Sequence, residues 1–230
     1  SIKFFMKVMR KKIYYHFLSS ANAFDDLSKK RIRVSTLDSL NDPFELLPYL
    51  RYEYAIRQDY HRIRRAISKK WGLLCFSKTW REPLLWSHYA DNHKGIALGF
   101  EISWNEIVKV QYNSDPIRTQ VELTSDQEEN ENLFLSLAKI KYKKWNYEQE
   151  HRMLIKLNQC VHSNDHYYIP FGGNLKLKEI RLGSKYDYGT DTKIIKNLSQ
   201  DLTAKIIPCR LQWQGYKINK DRGKRASKFV

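Results

Sequence analysis

Residues able to do chemistry gather at three places in this 230-residue chain. The densest run is Trp86-Ser87-His88-Tyr89-Ala90-Asp91-Asn92-His93-Lys94-Gly95, set directly before an apolar strand. Histidine moves protons near neutral pH, and Trp86 and Tyr89 could stack on a flat base or a nicotinamide ring. His88, Asp91 and His93 could ligate a metal, but their spacing fits no familiar site and no metal is assigned. A turn carrying core aromatics is the alternative. A second run is Trp145-Asn146-Tyr147-Glu148-Gln149-Glu150-His151-Arg152. If a strand begins near Tyr147, its period of two places Glu148, Glu150 and Arg152 on one face. Carboxylates that repel each other and share an arginine have their pKa values driven apart, which suits one for acid or base work and the other for orienting a ribose hydroxyl. A salt-bridged strand edge is the alternative there. The third run, Asn41-Asp42-Pro43-Phe44-Glu45, is turn chemistry that either caps a loop or displays Asp42 or Glu45 into a pocket.

The elements that must position these residues can be read from periodicity. Aromatic-rich Ile13 to Leu18 reads as a strand, followed by a short helix through Phe24 and Leu27 that Ser19, Ser20 or Asn22 could cap. Arg31 to Ser35 alternates as a half-exposed strand. From Tyr52 to Lys70, Ile56, Tyr60, Ile63 and Ile67 keep helical spacing, with Arg57, His61, Arg64 and Arg65 opposite. Trp71 to Phe76, Gly95 to Phe100 and Val108 to Tyr112 read as strands, with the run before Gly95 as a loop. Glu122 to Glu131 reads as an acidic excursion leading into a helix with Leu133, Leu137 and Ile140 on one face. Strands are expected at Met153 to Leu157, Tyr167 to Phe171, Glu179 to Gly183 and Lys205 to Leu211, with a helix through Ile194, Ile195, Leu198 and Leu202. Strands outnumber helices and do not alternate with them regularly, which predicts an α+β fold with a mixed or antiparallel central sheet and flanking helices. One domain is expected over residues 1–216, with a basic tail over 217–230.

Composition narrows the partners. Forty-one Lys and Arg against 25 Asp and Glu give a formal charge of +16, a field that attracts phosphate-rich partners. Nucleic acid could be gripped through Arg57, Arg64, Arg65 and the tail cations Lys220, Arg222, Lys224, Arg225 and Lys228. No apolar run is long enough to span a bilayer, and the opening Ser1 to Met6 is too short for a secretory core, so no membrane role is expected. Cys75, Cys160 and Cys209 are too few and too scattered for a disulfide framework, which fits a reducing cytoplasm.

Taken together, Tyr14 to Phe17, Asn41 to Glu45, Trp86 to Gly95, Trp145 to Arg152 and Leu177 to Gly183 resemble the pattern of a bacterial domain family of unknown function. That resemblance implies an effector or toxin carried as accessory or phage-defence cargo, with a protein acceptor or an antitoxin as a partner. The layout is also similar to that of ADP-ribosyltransferases, in which an early-strand residue grips NAD, a central residue packs on nicotinamide and a late-strand Glu binds ribose. The similarity implies Tyr15 or His16 in the first role, His88 or Tyr89 in the second, and Glu150 or Glu148 in the third. Trp86 would add to the flat surface, and Lys94, Arg152 or Arg33 would supply cations for the pyrophosphate. Asn41 and Asp42 would line the cofactor site. This chain departs from that family in having no Ser-Thr-Ser run and in following its Glu motif with Arg152. A metal-dependent nuclease using Asp42, Glu45, Glu148 and Glu150, and a non-catalytic nucleic-acid-binding regulator, are the rival expectations.

Overall fold

In the computed structural model, residues 11–46, 54–115, 124–189 and 192–223 are described. The expected segments that fall on Ser1–Met6, on Tyr52, on Glu122 and on 224–230 lie outside them. Helices α1 (Ser20–Ser28), α2 (Tyr54–Ser68), α3 (Pro83–Tyr89), α4 (Gln127–Leu137) and α5 (Thr192–Asp201) flank a large mixed sheet.

The sheet grows from two strands that are apolar for different reasons. In β1 (Lys11–Leu18) neighbouring side chains face opposite layers, Tyr14 into one core and Tyr15 with Phe17 into another. In β4 (Ile96–Ser103) the first five residues are all buried, as a central strand covered on both faces requires. β1 pairs antiparallel with β4 along its whole length. Beyond β4 lie β11 (Lys176–Leu182), then β12 (Lys205–Leu211) parallel to it, then β13 (Ile218–Lys220). The parallel pair is joined through α5, since a parallel return needs a crossover.

On the other side of β1 the sheet forks. β3 (Trp71–Ser77) pairs along one edge with β8 (Glu150–Lys156), from Trp71↔Lys156 to Ser77↔Glu150. Its opposite edge is shared. β2 (Arg31–Thr36) takes Gly72 and Leu73, while β1 touches only at Tyr15↔Ser77. Between those contacts the β3 edge is open, and the Cys75 carbonyl accepts a hydrogen bond from a side chain, His16 Nδ1, at 2.8 Å. β10 (His166–Pro170) and β9 (Val161–Ser163) extend the sheet beyond β2, and β5 (Val108–Lys109) extends it beyond β8. A separate parallel pair joins β6 (Gln111–Asn113) to β7 (Ile140–Tyr142).

Several expectations shift in detail. The run before Gly95 is half helix: α3 opens with Glu82 accepting from the Leu84 N–H and Pro83 in its first turn, so Trp86 to Tyr89 are helical. The expected strand Val108 to Tyr112 is two strands, because Val110 passes the chain from β8 to β7. Ile140 belongs to β7, not to the preceding helix. The 217–230 segment begins inside the sheet, with Ile218 fully buried.

Candidate functional site

The open edge of β3 is one wall of a cavity of about 270 Å³. Tyr15, His16 and Phe17 of β1, Ser35 of β2, and Cys75, Phe76 and Ser77 of β3 line it, together with Asn41 and Glu45 from the loop after β2. Leu85 and Tyr89 of α3, Lys141 of β7, Glu148 and Glu150 complete the polar end. All three motif runs therefore contribute to one cavity.

Each acidic residue arrives by its own local geometry. Glu45 follows a turn in which the Glu45 N–H donates to the Asp42 carbonyl at 3.0 Å and Asp42 Oδ1 accepts from the Phe44 N–H at 2.9 Å. Glu148 does not lie on a strand as expected; it ends a 3-10 helix over Lys143–Glu148. Gln149 then takes a left-handed φ of 45°, and β8 begins at Glu150. That kink, not the period of two, brings Glu148 beside Glu150. The period of two does set Glu150 and Arg152 on one face.

At the centre stands the buried ammonium of Lys141. Its Nζ lies 2.7 Å from Glu148 Oε2, 3.1 Å from Glu150 Oε2 and 3.2 Å from Glu45 Oε1. Arg152, fully buried behind the wall, pairs with Glu45 at 2.6 Å and with Glu150 through Nε at 2.7 Å, and donates to the Ala138 carbonyl at 2.8 Å. Tyr89 donates to Glu148 Oε1 at 2.6 Å and accepts from Asn41 Nδ2 at 2.9 Å. Ser77 Oγ donates to the Glu148 carbonyl at 2.6 Å. Three carboxylates thus share two cations, and only one of those cations, Lys141, reaches the cavity wall.

The imbalance sets the protonation states. Burial pushes the Glu148 carboxyl above the usual carboxylate range, Glu150 adds to this, and Lys141 only partly opposes it. Burial also acts on Glu150, but there Arg152 and Lys141 win and hold it below the usual range. Lys141 is desolvated as well, yet the three carboxylates hold its pKa above the usual lysine value. Burial raises the Tyr89 phenol, and Glu148 raises it further, so it remains a donor. Burial lowers the His16 imidazole against the opposing bond to Cys75. A carbonyl can only accept, so Nδ1 carries the proton and Nε2 of the neutral ring is a lone-pair base. Desolvation keeps the Cys75 thiol protonated, and it is no nucleophile at neutral pH.

Other expected site residues lie elsewhere. Trp86 cannot offer a flat surface to a ligand: it is fully buried, its Nε1 donates to the Trp80 carbonyl at 2.7 Å and its ring packs edge-on to Phe17. His88 is exposed outside the cavity lining, with the rings of Tyr89, Trp145 and Tyr147 at 6.1 to 6.3 Å. Lys94 and Arg33 are exposed and outside the lining. Asp42 is buried in its turn. The Tyr15 ring lines the cavity, but its hydroxyl donates to Glu179 Oε2 at 3.0 Å, across Gly99 of β4. A Cβ on Gly99 would stand 3.0 Å from the Tyr15 ring and 3.1 Å from the Glu179 Cβ. Among the described residues no group of three or more His, Cys, Asp or Glu is arranged to hold a metal ion. No helix among them is long and apolar enough to cross a membrane.

Sequence reasoning missed Lys141, Ser77 and Cys75. The signal for Lys141 was available: one lysine between Ile140 and Tyr142 in a short strand pattern, a few residues before an acidic pair. No curated protein and no solved structure matches the chain. Residues 85–153, which supply Tyr89, Lys141, Glu148, Glu150 and Arg152 to the site, match the model of a family described as a protein of unknown function (DUF2971).

Proposed function

We propose that the cavity binds the nicotinamide-ribose end of NAD and cleaves its N-glycosidic bond, passing ADP-ribose to an acceptor in the manner of an ADP-ribosyltransferase. One observation carries this reading: on one wall three buried carboxylates, Glu45, Glu148 and Glu150, outnumber the two cations that answer them, Lys141 and Arg152, beside the aromatic rings of Tyr15, Phe17 and Tyr89. Such a wall favours a flat ligand bearing positive charge, and the oxidised nicotinamide ring is one. The volume suits a nicotinamide and part of a ribose, so the pyrophosphate and adenosine would extend toward the basic exterior.

In the reaction, the C1′–N1 bond breaks and its electron pair neutralises the nicotinamide ring. The positive charge moves to an oxocarbenium-like ribose, and an acceptor oxygen or nitrogen bonds to C1′ and gives up its proton. In this reading Glu148 faces that charge, because its oxygens accept from the neutral Tyr89 hydroxyl and from Lys141, whereas both oxygens of Glu150 are bound by the Arg152 guanidinium with Lys141 in addition. Tyr89 and Lys141 orient Glu148, and His16 Nε2 is a neutral proton acceptor. The geometry thus favours Glu148 over Glu150 as the residue that touches substrate. A divalent metal ion, as the nuclease reading requires, would have to displace Lys141 from the same oxygens.

The test is nicotinamide release from labelled NAD by the whole protein, with and without a nucleic-acid or protein acceptor. Release by the wild type and its loss by at least tenfold in Glu148→Gln, with unchanged thermal unfolding, is expected. Equal, background-level turnover in both proteins rejects the reading.

A further inference from the structure

Among the described residues, the two most exposed aromatics lie far from the cavity motifs in sequence. Trp213 is 91% exposed and Tyr216 is 98% exposed, at the tip of the β12–β13 hairpin. Isolated exposed apolar residues are ordinary, but two whole aromatic rings within four residues on a rigid support are not. The support is well made. The Gln212 N–H donates to the Lys217 carbonyl at 2.9 Å and closes the hairpin. Ile218 is buried against the layer containing Phe17 and Trp86, and its N–H donates to the Arg81 carbonyl at 2.9 Å. Arg81 in turn donates to Asn219 Oδ1 at 2.6 Å. The tip rings are therefore held outward by a hairpin whose base is fixed.

The charge around them has one sign. Between Lys205 and Gly223 the chain carries Lys205, Arg210, Lys217, Lys220 and Arg222 against the single carboxylate Asp221. Exposed aromatic rings with cations along the same strands are the combination that grips single-stranded nucleic acid: bases stack on the rings while the cations follow the phosphates. A duplex hides its base faces, and an apolar protein partner would not call for five cations. We infer that the β12–β13 hairpin is a binding arm for single-stranded nucleic acid, with Trp213 and Tyr216 as its stacking platforms. The Lys78 to Glu82 segment on which the hairpin rests joins Ser77 to α3, and so links two walls of the cavity. This inference stands independently of what the cavity binds.

The test uses the full chain and fluorescently labelled oligothymidylate and oligouridylate, with a duplex of equal length as comparison, read by anisotropy across a salt series. The wild type is expected to bind both single strands more tightly than the duplex. A Trp213→Ala/Tyr216→Ala double variant is expected to lose at least tenfold in affinity with its salt slope unchanged, whereas Trp213→Phe retains binding and Lys217→Gln/Arg222→Gln flattens the slope. The rings touch little of the fold, so thermal unfolding stays at the wild-type temperature. Three results overturn the inference: no binding by the wild type, equal affinity in wild type and double variant, or a double variant that changes only the oligomeric state, which would make the hairpin a protein contact.

Discussion

Lys141 holds the acidic end of the cavity together. Removing it leaves three buried carboxylates with only Arg152 to answer them, and breaking such a group by deleting one partner typically costs about 3–5 kcal/mol. Lys141→Ala is therefore expected to destabilise the protein by that order, read by urea unfolding; a loss under about 1 kcal/mol would show that the network is solvated rather than buried. His16 makes a separate prediction. Its pKa is lowered, so the folded state binds fewer protons than the unfolded one. Stability is then whole above the unfolded value of about 6.5 and is lost as pH falls from there toward the folded pKa. Nitrogen NMR should find His16 neutral and protonated on Nδ1 at pH 6.5, and a His16 resonance titrating at its ordinary value would contradict the desolvation of the ring. The motif runs pointed to Glu45, Tyr89, Glu148 and Glu150 because polar and aromatic types in dense runs are rare in sequence, and the resemblance to ADP-ribosyltransferases added Tyr15, His16 and Asn41. Lys141 was passed over although it sits in a short strand pattern before the acidic pair, because its meaning depends on Glu45, Glu148 and Glu150 being brought to it by the fold.

At the scale of elements, the positions of strands and helices were legible wherever periodicity was strong. β2 follows the alternation of its apolar residues, β1, β3, β4 and β12 are short apolar runs, and the helices through Leu27, Tyr60 and Ile195 follow the 3.6-residue spacing. Short elements were not. β5 and β6 read as one strand because pairing partners, not sequence, divide them at Val110, and the kink at Gln149 depends on a left-handed residue that is not glycine. α3 went unseen because its seven residues are too few to show a period. Its exit runs through Asp91, Asn92 and His93, all at positive φ, before Gly95, where a Cβ would fall 2.2 Å from the Leu18 carbonyl oxygen. Gly183 is tighter still, with a Cβ at 2.0 Å from the His93 oxygen. Both contacts are with backbone, so Gly183→Ala cannot be absorbed by a side-chain rotation. It is expected to cost more than about 2 kcal/mol and to move the turn that follows α3. Calorimetric unfolding within 1 °C of the wild type would show that this close approach is not needed.

For the whole molecule, the α+β class and the mixed sheet followed from an excess of irregularly spaced strands. The fork did not, because no local pattern states that β1 and β2 share one edge of β3. That fork is what converts scattered motifs into a cavity. In a molecule of formal charge +16, that inner wall gathers three carboxylates against the two cations Lys141 and Arg152, and this local excess of negative charge carries the functional reading. It is tested most directly by calorimetric titration with NAD and with NADH, which differ at the nicotinamide by a hydride and a positive charge. The account predicts that NAD binds at least tenfold more tightly, a preference of about 1.4 kcal/mol, and that Glu148→Gln shrinks the gap. Equal affinities, or a preference for NADH, would contradict it.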